Sequence, residues 1–129
     1  MKQKIHIELR RVLRECAKVG TTLNYRDLVS KANVPPPHSI HKTTLALEDL
    51  IREDHTAGRP LLAALAVSRG NVNMPGHGFF HLLVELGRYE GPDRGPQAQE
   101  AFDKELQAAL RYWGEPETEG DGPGDAALN

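Results

Sequence analysis

The sequence predicts an α+β fold, mostly helical, in which three helices, a small β-hairpin and two further helices share one core. Three observations predict it. Apolar residues recur at helical spacing through most of the chain, and these stretches begin or end at Asn24, Gly20, Gly58 and Gly87. One run, "PLLAALAVS" from Pro60, is too short and too uniformly apolar for a surface helix and reads as a mostly buried strand, with helix as the competing reading because of its alanines. At 129 residues the chain holds one sizeable core rather than two, so residues 1–113 are expected to be a single domain closed by a helix over 97–113.

Ile5, Leu9, Val12, Leu13 and Cys16 fall on one helical face, with Arg10, Arg11, Arg14 and Lys18 on others, so residues 2–18 read as an amphipathic helix ended by Gly20. In "TTLNYRDLVSKAN", Asn24 is placed to cap, Asp27 stands three positions later as in a capping box, and Leu23 and Leu28 are spaced as a hydrophobic staple. A short helix over Tyr25 to Ala32 follows. The prolines of "VPPP" lack N–H donors and restrict their predecessors, so they break regular structure. A third helix runs from Ser39 to about Thr56, with Ile40, Leu47, Leu50 and Ile51 inward and Gly58 as its stop. After the apolar run, "RGNVNM" is expected to turn at Gly70 and Asn71 and to return as a strand through Val72 and Met74.

Pro75 and Gly76 open a helix over Phe79 to Leu86. Its residues Phe79, Phe80, Leu82, Leu83, Val84 and Leu86 cover most of the circumference, which marks burial on more than one side. A linker rich in Gly and Pro (89–96) precedes the last helix, whose stripe ends at Leu110 and Trp113 and either covers the domain's own core or forms a symmetric dimer contact. The segment from 114 has too few apolar residues to offset its ordering entropy and is expected to be disordered.

No apolar run approaches the ~18 residues that a membrane span needs. The start "MKQKIHIELRR" is charged where a signal peptide turns apolar, so a soluble, cytoplasmic chain without a membrane partner is expected. Cys16 is the only cysteine; its place on an apolar face predicts a buried thiol rather than a nucleophile.

The net charge of −2 conceals a gradient. Residues 115–129 hold Glu115, Glu117, Glu119, Asp121 and Asp125 and no Lys or Arg, which leaves a net +3 on residues 1–114. The first 42 residues carry nine Lys or Arg against Glu8, Glu15 and Asp27, a net +6, and clustered cations of this kind are the electrostatic footprint of phosphate binding.

The histidines are the residues with metal-ligating chemistry. His77, His81 and Glu85 are spaced i, i+4, i+8 on one helical face, and two histidines at that spacing can share a zinc ion. The residues between them are Gly78, Phe79 and Phe80, so the Glu that follows the first His in metalloproteases is missing. The favoured reading makes them the solvent edge of an apolar helix. His38 and His41, at i, i+3, would complete a four-histidine cluster only if the two segments met; His6 and His55 read as surface residues. The chain has no nucleophile elbow, P-loop or GxGxxG stretch, so neither an enzyme, a cofactor nor a metal is expected.

A short capped helix, a break, a longer helix and an apolar hairpin is the order of a winged helix, in which the second helix of a helix-turn-helix enters the major groove. Ser39, His41, Lys42, Thr43 and Thr44 lie at the N-terminal end of the longer helix, where backbone N–H groups and the dipole favour phosphate; Arg26 and, at the wing tip, Arg69 complete the expected contacts. Against this, the break is longer than a standard turn, and Glu48, Asp49, Glu53 and Asp54 make the far half of the helix acidic. The stretch "LNYRDLVSKA" with "GRPLLAALAVSR" and "MPGHGFFHLLVELGR", over residues 20–88, resembles small bacterial and phage proteins of winged-helix-like fold. Its distinctive elements are Gly58, Arg59, Pro60, Pro75, Gly76 and Gly78, with Phe79 and Phe80. The resemblance implies a fold and no particular activity. A looser likeness to the DNA-binding half of alkyltransferase-like proteins is topological, since their Pro-Cys-His-Arg motif is missing and Cys16 lies elsewhere. The expected function is non-enzymatic binding of double-stranded DNA, regulatory or phage- and defence-related. The alternative is an adaptor that presents its acidic third helix and the 98–113 stripe to a protein partner.

Overall fold

A computed structural model describes residues 2–68 and 77–114, with side chains from 4 and from 78 onward. In order they form α1 (Lys2–Val19), β1 (Leu23–Asn24), α2 (Tyr25–Ala32), α3 (Ser39–Ala57), a 3-10 turn (Leu62–Leu65), β2 (Ala66–Val67), α4 (His77–Glu85) and α5 (Pro96–Trp113). The fold is α+β and mostly helical.

Local chemistry explains most boundaries. Asn24 Oδ1 accepts the Asp27 N–H at 2.8 Å and Asn24 Nδ2 donates to the Asp27 carboxylate at 3.2 Å, so this pair starts α2, although Asp27 answers the side-chain amide rather than the backbone N–H of a capping box. Asn33 ends α2 in the left-handed region at φ 54°, and the N–H of Val34 reaches back to Val29 O at 3.1 Å. Gly58, at φ 76°, lets the Arg59 N–H return to Asp54 O at 2.8 Å, a conformation that strains any residue with a Cβ. The Pro36–Pro37 bond is cis within the break.

The apolar run after Pro60 is buried as its composition predicts, but it is not the expected strand. Leu62 to Leu65 wind into a 3-10 turn, and only Ala66 and Val67 extend. They pair in parallel with Leu23 and Asn24, so the sheet of the described residues is a two-stranded parallel ribbon rather than a hairpin. The expected return strand at Val72 and Met74 lies outside the described residues, as does the expected disordered segment after Gly114.

α1, α2 and α3 pack against one another, and α5 lies across the 3-10 turn and α1. One core joins Leu9, Leu13, Leu28, Leu50, Leu65 and Phe80, all at most 1 % exposed. Ala98, Phe102 and Ala109 are buried in it, so the α5 stripe covers the domain's own core. One position expected to face inward is surface instead: Ile40, in the first turn of α3, is 46 % exposed, and Val84 on α4 is exposed to the same extent.

Cys16 is buried, and desolvation is the main cause that lifts its thiol above the ordinary value of 9.0; Lys31 opposes the lift and Glu15 adds to it. Because the folded-state value is the raised one, the stability attached to the neutral thiol is complete below the unfolded-state value and is lost as pH climbs through the folded one. At neutral pH, modification of Cys16 by a disulfide reagent is expected to be roughly tenfold or more slower in the folded chain than in urea. Equal rates would contradict this burial.

Candidate nucleic-acid interface

The N-terminal end of α3 is at the surface, where Ile40 and His41 are exposed. His38 precedes it at φ 59° and its side chain makes no capping hydrogen bond, so no capping side chain answers the N–H groups of the first turn, where the helix dipole favours an anion. His41 is exposed, and Ser39, Lys42 and Thr44 are half-buried. Lys42 Nζ donates to Pro35 O at 3.1 Å, which holds its ammonium over the proline break, and Thr44 Oγ1 donates to Ile40 O at 3.1 Å. Arg26 is exposed on the first turn of α2, the helix packed against α3. The six expected contacts among described residues therefore fall on two adjacent helices, with one correction. Thr43 is 0 % exposed and its Oγ1 has no hydrogen-bond partner, so it faces the core and is withdrawn from any macromolecular contact. Arg69 lies outside the described residues.

The acidic far half of α3 differs from its sequence reading. Asp54 is fully buried: its carboxylate accepts from Arg59 Nε at 3.0 Å, from an Arg10 guanidinium nitrogen at 3.1 Å and from the Leu62 N–H at 3.2 Å. Glu53 takes a second bond from Arg10 at 3.0 Å, and Asp49 pairs with His6 Nε2 at 2.9 Å. Glu85 on α4 pairs with Arg52 at 3.1 Å. The carboxylates that would repel DNA are thus mostly answered within the chain, but part of the basic N-terminal excess is consumed in doing so; Arg11 is likewise paired with Glu8 at 2.8 Å. The Asp54 hub had no sequence signal, because its partners stand 44 and five residues away.

The histidines separate. His81 is exposed and bonds Asp93 at 3.1 Å, while Glu85 turns to Arg52, so this pair does not converge on one point. The His77 side chain lies outside those described. His6 and His55 are half-buried rather than free on the surface; His55 Nδ1 stands 3.2 Å from Arg88 Nη1, while Nε and Nη2 of the same guanidinium bond Glu105 at 3.0 and 2.9 Å. Among the described residues no three His, Cys, Asp or Glu side chains are grouped to hold a metal ion. No helix among them is long and apolar enough to cross a membrane.

Compared with protein families, curated proteins and solved structures, the chain matches none.

Proposed function

We propose that this chain is a non-enzymatic DNA-binding protein of winged-helix-like type that docks double-stranded DNA at the first turns of α3, with Arg26 of α2 on the flanking backbone. The observation that carries the reading is the mutual packing of α1, α2 and α3, which leaves an uncapped, polar α3 N-terminus at the surface. Phosphate contact would come from the α3 N–H groups, Lys42 and Arg26; Ser39 and His41 would reach base edges. The internal pairing of Asp49, Glu53 and Asp54 lowers the repulsion that the far half of α3 would otherwise exert.

Fluorescence polarisation with a labelled duplex at low salt tests it. Binding is expected to weaken steadily as salt rises, because released counterions carry much of the affinity. Arg26→Glu and Lys42→Glu are each expected to weaken binding to every duplex by roughly three- to tenfold. Unchanged affinity in both variants, or no binding at low salt, would refute the proposal. A second reading is favoured by Ile40 and Leu45, 46 % and 50 % exposed on either side of His41: a protein partner seated on that half of α3. Co-purification of a partner that is lost in Leu45→Asp, with no duplex binding, would decide for it.

A further inference from the structure

The guanidiniums of Arg10 and Arg14 on α1 and of Arg59, just after α3, each stand 5.8 Å from the ring centroid of Trp113 at the end of α5. The indole is anchored, its Nε1–H donating to Pro60 O at 2.8 Å. Gly114 lies so close to α1 that a Cβ there would stand 2.8 Å from Ala17 O, so the end of α5 is held against α1. Lys18 and Arg111 stand in the final turns of the two helices that bring Arg14 and Trp113 together, while Arg10 and Arg59 are also paired with Glu53 and Asp54. The next residues in sequence are the five acidic groups of 115–129, which have no Lys or Arg among them.

We propose that the Arg10, Arg14 and Arg59 cluster around Trp113 is a binding surface for acidic peptide, and that residues 115–129 of the same chain are its occupant. Two arguments carry it. The first is charge: Arg10 and Arg59 are held by Glu53 and Asp54 on one side, yet a guanidinium has five N–H groups, so part of each remains for a further carboxylate beside the indole. The second is proximity: Glu115 follows Trp113 by two residues, so a tether this short gives a high effective concentration and weak individual ion pairs add up.

Trp113 is the only tryptophan, so its emission reads the surface directly. The probe is the neutral quencher acrylamide, applied to the full chain, to the variant E115Q/E117Q/E119Q/D121N/D125N, and to a chain ended at Gly114, with circular dichroism confirming helix in all three. At low salt the full chain is expected to be quenched roughly half as strongly as either variant. Near 1 M salt, where the screening length falls to about 3 Å, the three are expected to converge. Equal quenching at low salt would overturn the proposal, and so would a difference that persists at high salt, since it would need no charge. Shielding that grows with protein concentration would assign the segment to a second copy and overturn the same-chain occupant. The amide variant alters no residue of the described fold, so it remains informative if the shortened chain fails to fold.

Discussion

Asp54→Ala is expected to lower the free energy of unfolding by about 3 kcal/mol, as breaking a buried ion pair from one side does. The carboxylate is 0 % exposed and holds two guanidiniums and one backbone N–H, which ties α3 to α1 and to the start of the 3-10 turn. Alanine removes this acceptor from Arg59 and from the Leu62 N–H, and leaves Arg10 with Glu53 alone. The cost is set at the lower end of the usual range because the Arg10 and Arg59 side chains are 21 % and 34 % exposed and regain some water. Asp54→Asn, which keeps an acceptor but loses the charge, is expected to cost about half as much. Urea unfolding measures both; a loss under about 1 kcal/mol for Asp54→Ala would reduce the hub to the value of a surface ion pair.

Phe80→Ala is expected to cost about 3–5 kcal/mol, the transfer energy of the ring together with the cavity it leaves. Phe80 is 1 % exposed, with its ring centroid 5.4 Å from that of Phe79 and 6.0 Å from that of Tyr89, and Phe79 in turn reaches Phe102 on α5 at 6.3 Å. A packed aromatic chain of this kind cannot collapse into the gap without moving α4 against α5. The neighbouring substitution His81→Ala should cost under about 0.5 kcal/mol, since that side chain is 71 % exposed and its pair with Asp93 is at the surface. Thermal melts of the two variants side by side check the ordering, and a larger loss at His81 than at Phe80 would reverse the reading of this helix as core with a polar edge.

The parts of the fold legible in the sequence are those written by neighbours a few residues apart. The Asn24–Asp27 pair, Asn33 after Ala32 and the glycines at 20, 58 and 87 act through the backbone of their own turn, so the bounds of α1, α2 and α3 follow from the chain itself. Burial of 61–67 was equally legible. Its state was not: a run that is apolar at every position has no period, and the Leu62 N–H at the start of the 3-10 turn is answered by Asp54, eight residues earlier. Ile40 misled because helical spacing identifies a face but not how far that face extends over the core. Of the candidate interface, the polar first turn of α3 and Arg26 were readable, while the burial of Thr43 needed the packing of α3 to be known. The pairing of Arg10 with Glu53 and Asp54 joins residues more than forty positions apart, and no local pattern encodes it.

Duplex DNA is proposed to meet the N-terminal turns of α3. Titration of 15N-labelled protein with a short duplex, followed by amide chemical shifts, tests it residue by residue. The expected result is salt-sensitive movement of the amides of Ser39, His41, Lys42 and Thr44, with Arg26 moving in the same titration and the α5 amides still. Duplex binding that leaves those amides in place, or movement confined to α4 and α5, would contradict it.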